Sequence, residues 1–111
     1  KGVGDIEETV LRDRRKLRNH GMVVVQMVLD ERTGNILFGP EMISRGFVFE
    51  DHGQFILEDA QCIVLEVIDE LEKPLPVDSE KLEREIRKRL KRFFYNVIER
   101  SPLIIPTIIT L

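Results

Sequence analysis

Met22 to Asp30 reads MVVVQMVLD. The stretch is rich in β-branched side chains and predicts a strand. Alternation sends Val23, Val25, Met27 and Leu29 to one face and Met22, Val24, Gln26 and Val28 to the other. Both faces are apolar apart from Gln26. A strand with one wet side alternates more cleanly between apolar and polar residues. This strand is therefore expected at the centre of a sheet, with something packed on each side.

The elements around it follow from period and punctuation. Asp30 to Asn35 (DERTGN) is turn material, with Gly34 free to take positive φ. A second strand is expected over 36–49, interrupted at Gly39-Pro40 and again at Gly46. Proline cannot donate to a ladder, so a bulge or kink is expected there. Phe55 to Leu71 predicts a helix with Ile56, Ala60, Ile63, Val64, Val67 and Leu71 on its buried stripe. EKPLPVD breaks it. Asp78 or Ser79 then caps a second helix over 80–99, with Leu82, Ile86, Leu90, Phe93 and Val97 expected inside. Ser101-Pro102 is expected to end that helix. Leu103 to Leu111 predicts a third strand. It carries Pro106 in its middle, so it belongs at an edge.

The order β-β-α-α-β predicts an α+β fold: a small three-stranded mixed sheet with two helices on one face. Residues 1–20 read as a linker segment with a possible short helix stopped by Gly21. Residues 21–111 read as the domain proper. At 111 residues and 42% hydrophobic content the chain can bury a core without staples. Cys62 is alone, so no intrachain disulfide forms and a reducing compartment is expected. No apolar run approaches the ~20 residues that cross a bilayer. The chain opens without methionine and stops in an apolar run, which points to a piece of a longer protein.

Helices on one side of the sheet leave its other side unaccounted for. Val24, Val28, Ile104 and Ile108 are the candidate interface residues there, because a large exposed apolar patch marks a contact. The alternative is that the leading segment folds across and covers it. Charge is also uneven. Residues 50–72 hold eight acids and no Lys or Arg, whereas residues 81–100 hold eight bases and three acids. Attraction between antiparallel neighbours explains part of this. The second helix still presents Arg84, Arg87, Lys88, Lys91 and Arg92 on one outer side, with Tyr95 among them. Arg12, Arg14, Arg15 and Lys16 form a denser cluster. Arg12, Arg14, Arg15, Lys16, Arg84, Lys88, Lys91 and Tyr95 are accordingly the candidate RNA contacts.

No spacing of His, Cys, Asp or Glu suits a metal, and no phosphate loop or nucleophile elbow is present. The residues therefore predict no catalytic group, no metal ligand and no cofactor in this chain. One string remains, Gly39-Pro40 followed by Ser44-Arg45-Gly46-Phe47. Gly46 permits a bulge or a close backbone approach. Arg45 then points outward, either into a structural or interdomain hydrogen-bond network or onto a substrate.

GVGDIEETVLRDRRKLRNHGMVVV, GPEMISRGFVF and ERSPLIIPTII together resemble the C-terminal part of bacterial ribonuclease J, in order and with similar spacing. The most specific pieces are Val10-Leu11-Arg12-Asp13-Arg14, the Gly39-Pro40 to Phe47 string, and Arg100-Ser101-Pro102 with Pro106. Asn19-His20-Gly21 and Arg100-Ser101-Pro102 depart from the family pattern. The resemblance implies a parent of the metallo-β-lactamase type with a β-CASP insertion. Such a parent uses two metal ions, usually zinc, held outside this chain. It hydrolyses RNA as a 5′-to-3′ exonuclease and as an endonuclease, in messenger decay and ribosomal RNA maturation in the cytoplasm. The implied partners are the catalytic and β-CASP domains of the same chain, further copies in a dimer or tetramer, and RNA through the parent; no membrane is implied. The resemblance makes this chain a non-catalytic accessory and oligomerisation domain. The alternative is an RNA-binding module that presents basic residues to single-stranded RNA.

Overall fold

The computed structural model describes residues 9–12, 14, 20–46, 53–70 and 76–111. Strand β1 (Met22–Leu29) leads into strand β2 (Ile36–Arg45), helix α1 (Gly53–Glu70), helix α2 (Ser79–Ile98) and strand β3 (Leu103–Thr110). The sheet order is β2-β1-β3, with β2 antiparallel and β3 parallel to β1. The expected α+β class holds: a three-stranded mixed sheet with two helices in β-β-α-α-β order.

The turn between β1 and β2 is built by Asp30. Its Oδ1 accepts from the backbone N–H of Arg32 at 2.8 Å and of Thr33 at 3.1 Å, and its carbonyl accepts from Gly34 at 2.8 Å. Gly34 takes φ +75°, as the turn requires. In β2, Glu41 pairs with Gln26 and Phe38 pairs with Val28. Gly39 and Pro40 together therefore stand opposite Met27 alone, which is a β-bulge. Gly39 has φ +84°, and a Cβ there would lie 2.5 Å from the Gln26 carbonyl oxygen. No larger residue fits without moving β1. Gln61 on α1 donates from Nε2 to the Pro40 carbonyl at 2.7 Å, which ties the bulge to the helix. The strand ends at Arg45, so the expected extension toward Phe49 lies outside the described residues, as does Phe47.

The core lies between the sheet and both helices. Val23, Val25, Met27 and Leu29 face Ile56, Ala60, Val64 and Val67 of α1 and Leu82, Ile86, Leu90 and Phe94 of α2. Helix α1 covers the β2 side of the sheet and α2 the β3 side. The stripe on α2 differs from the expected one at its C-terminal end. It steps by four residues throughout, so Phe94 is buried, Phe93 is half-buried and Val97 is exposed. The Phe93 and Phe94 rings meet edge to face with centroids 5.3 Å apart. Full burial of a ring such as Phe94 contributes roughly 1.5–3 kcal/mol. Leu71, expected on the α1 stripe, is outside the described residues.

Helix α2 starts where Asp78 caps it, Oδ1 accepting from the Lys81 N–H at 3.1 Å. It ends before Ser101-Pro102, because Glu99 turns left-handed at φ 54° and its N–H bonds to the Tyr95 carbonyl at 2.9 Å. The opposite charges of the two helices do meet. Arg89 of α2 donates to Glu70 of α1 at 2.8 Å and to Glu66 at 3.3 Å. The Arg89 guanidinium is held above its ordinary pKa, first by the hydrogen bond with Glu70 and then by its charge. Partial loss of water opposes the shift, while Glu66 and Glu85 add to it.

Candidate functional site

Among the described residues, nothing packs on the side of the sheet away from the helices, and this side is called open below. The register decides what it carries. Leu103 pairs with Met22 in phase, so Ile104 pairs with Val23 and Ile108 with Met27. Paired residues share a face. Ile104 and Ile108, expected on the open side, therefore lie on the helix side. Ile104 is buried and Ile108 half-buried against the core. Val24 and Val28 do lie on the open side, beside Ile105 and Ile109. On the β2 flank, Ile43 pairs with Val24 and Phe38 with Val28. Phe38, Ile105 and Ile109 remain 51%, 37% and 52% exposed.

This face is ordered into rows across the three strands. Ile43, Val24 and Ile105 form one apolar row, and Phe38, Val28 and Ile109 form another. Between them runs a polar row of Glu41, Gln26 and Thr107. Both helices lie on the opposite side, and Val10 and Leu11, described in the leading segment, are exposed rather than packed into the core. Residues 9–12 and 14 are helical; Arg15 and Lys16 are outside the described residues. Arg12 and Arg14 are exposed.

The edges of the sheet are blunted while its face is open. Leu103 donates to the Gly21 carbonyl and Leu111 to the Leu29 carbonyl, each at 2.9 Å. Odd-numbered peptides of β3 thus point toward β1, and even-numbered ones point to the free edge. Pro106 is even-numbered. Its missing N–H breaks no ladder bond and removes a donor from the exposed edge. On the other edge, the bulge at Gly39-Pro40 interrupts the regular ladder of β2. Neither edge is a smooth template for another strand.

The Ser44-Arg45-Gly46 string lies close against the start of β1. Gly21 has φ +83°, and a Cβ there would lie 2.7 Å from the Arg45 carbonyl oxygen and 2.9 Å from the Gly46 carbonyl carbon. The start of β1 and the end of β2 are therefore in close backbone contact. Arg45, paired with Met22, is exposed, and its Nη1 donates to the Ser44 carbonyl at 2.8 Å. Next to this junction, His20 Nδ1 accepts from the Ser101 N–H at 3.2 Å. Two stretches far apart in the sequence, at His20 and at Ser101, are thus joined. Neither that contact nor the Gln61 bond has a local sequence signal, because each joins residues far apart in the chain.

The basic side of α2 is a third feature. Arg84, Arg87, Lys88, Lys91 and Arg92 are exposed, and no ion pair among the described residues engages them. Tyr95 is 59% exposed on the same side. Arg87 and Lys91 form one wall of a groove of about 380 Å³, with residues 102–106 at the edge of β3 as the other. Cys62 is exposed on α1. Among the described residues there is no group of three or more His, Cys, Asp or Glu placed to hold a metal ion. No helix among them is long and apolar enough to cross a membrane.

A small three-stranded mixed sheet layered by two helices on one side defines an α+β domain. The family model of the ribonuclease J C-terminal domain matches residues 9–111. Ribonuclease J2 of Bacillus subtilis is 36% identical over 107 residues, which is 96% of this chain and 19% of that protein. Ribonuclease J 1 of Streptococcus pyogenes is 34% identical over 109 residues, 98% of this chain and 20% of that protein. Ribonuclease J 2 of Staphylococcus epidermidis is 31% identical over 107 residues. The chain belongs to the ribonuclease J C-terminal domain family, and it spans about a fifth of the length of these relatives.

Proposed function

We propose that this chain is the assembly domain of a ribonuclease J, and that its open sheet face meets a second copy of itself. The observation that carries the reading is the row pattern: two apolar rows separated by Glu41, Gln26 and Thr107. An exposed apolar surface of this kind favours association. A polar row within it favours one register over others, since a shifted partner would leave polar groups buried against apolar ones. A second copy carries the same rows, and a two-fold interface requires such self-matching. The blunted edges favour face-to-face packing over strand addition.

The parent reading follows the family. The parent hydrolyses RNA, from the 5′ end and internally, in messenger decay and ribosomal RNA maturation in the cytoplasm. Its two zinc ions sit in a metallo-β-lactamase domain with a β-CASP insertion, outside this chain. The role of this chain is to bring copies of that catalytic part together rather than to cleave. Sedimentation equilibrium of the 111-residue chain tests the assembly reading. A mass that rises toward the dimer with concentration, and that Ile109→Glu returns to the monomer, supports it. A monomer at every concentration overturns it.

A further inference from the structure

We propose that the groove between α2 and the free edge of β3 holds the phosphodiester backbone of a single-stranded nucleic acid. Residues 86–98 carry five bases and no acid. Arg89 is taken by Glu66 and Glu70 on the neighbouring helix, so its charge is turned inward to α1. The other four, Arg87, Lys88, Lys91 and Arg92, are exposed and without an ion pair among the described residues. Arg87 and Lys91 are one helical turn apart and both line the groove. The net charge of the chain is −3, so the attraction is local. It reaches about 10 Å at 0.1 M salt.

The opposite wall selects among anions. An extended acidic peptide would seek strand pairing with the β3 edge, and Pro106 removes the central donor it would need. Ile104, whose N–H faces outward by the same alternation, also lines the groove, so one backbone donor is left for a phosphate oxygen. Tyr95 lies one turn beyond Lys91 and offers an exposed ring on which a base can stack. A chain of phosphates with a base at one end matches cations, a lone backbone donor and an aromatic ring better than a polypeptide does. The inference does not rest on the assembly reading: the groove shares Ile105 with the open face, but its two cations, Arg87 and Lys91, belong to α2 on the other side of the sheet.

Fluorescence anisotropy with a labelled single-stranded RNA, read for the 111-residue chain at low and at high salt, tests it. Wild-type binding is expected to weaken with salt, and Arg87→Gln with Lys91→Gln is expected to flatten the log–log slope by about 1.4, the share of two phosphate contacts. Tyr95→Ala is expected to weaken binding by about tenfold with the salt slope unchanged. No saturable binding at low salt overturns the proposal. So does an unchanged slope in the double glutamine variant, or equal competition by an acidic peptide. Loss of binding only when Arg12 and Arg14 are replaced would also overturn it, by moving the contact to the leading segment. Sedimentation of the double variant separates the two readings: an unchanged association state leaves the groove distinct from the assembly face, and a loss of association overturns the nucleic-acid site.

Discussion

One strand, β1, has two sides that are alike in composition and unlike in circumstance. Val23, Val25, Met27 and Leu29 are no more than 1% exposed beneath the helices. Val24 and Val28, their chemical equivalents on the other side, are only half-buried and lie among exposed Ile105, Ile109 and Phe38. The helix side is closed by this chain, and its residues set stability. Among the described residues nothing covers the open side, and under the proposed assembly its residues would gain full burial only against a second copy. Apolar character alone does not separate the two roles; the register and the position of the helices do.

The closed side should break most dramatically. Phe94→Ala removes a fully buried ring of the core cluster and is expected to cost about 3–5 kcal/mol. Urea unfolding followed by far-ultraviolet circular dichroism measures it. The neighbouring substitution Val97→Ala is the control. The sequence pattern places Val97 inside, whereas the structure exposes it, so its loss should fall within about 0.5 kcal/mol.

Next comes the junction that lets the sheet keep its shape. Gly39→Ala would drive a Cβ into the Gln26 carbonyl and force a residue with a side chain to hold φ +84°. A cost of about 1–3 kcal/mol is expected from the backbone conformation, with the steric contact adding to it. The same unfolding experiment reads it. Asp78→Ala, which removes the α2 cap, is expected to cost about 1 kcal/mol.

Much of this was legible in the sequence, for identifiable reasons. Element order, the central place of β1 and the edge position of β3 followed from β-branched runs and from Pro106, which are local signals. The bulge at Gly39-Pro40 was legible for the same reason. What failed was phase. Ile104 and Ile108 were expected on the open face because period-two alternation divides a strand into two sets without saying which set meets which side. Only the in-phase pairing of Leu103 with Met22 decides that, and pairing is a non-local fact. The Phe93 and Val97 error has the same origin, since a 3.6-residue period tolerates either i+3 or i+4 at the end of a helix. Of the candidate site, the basic face of α2 was legible as a charge run. Its groove was not, because the second wall comes from residues 102–106 of another element.

The smallest effect on stability, and the sharpest test of the two-sided sheet, belongs to Ile109→Thr. Ile109 is already 52% exposed, so the unpartnered domain loses little buried surface when it is shortened. Threonine keeps β-branching and therefore the strand preference of the site. The unfolding free energy of the dilute chain is expected to change by less than about 0.5 kcal/mol. Association should respond much more, because the same methyl groups become fully buried only when a second face lies against them, and a hydroxyl then sits among apolar neighbours. Sedimentation at matched concentration is expected to show a clear shift toward the monomer. If instead stability drops as it does for a core residue while association is untouched, Ile109 is covered from within the chain. The two faces of β1 would then be equivalent after all.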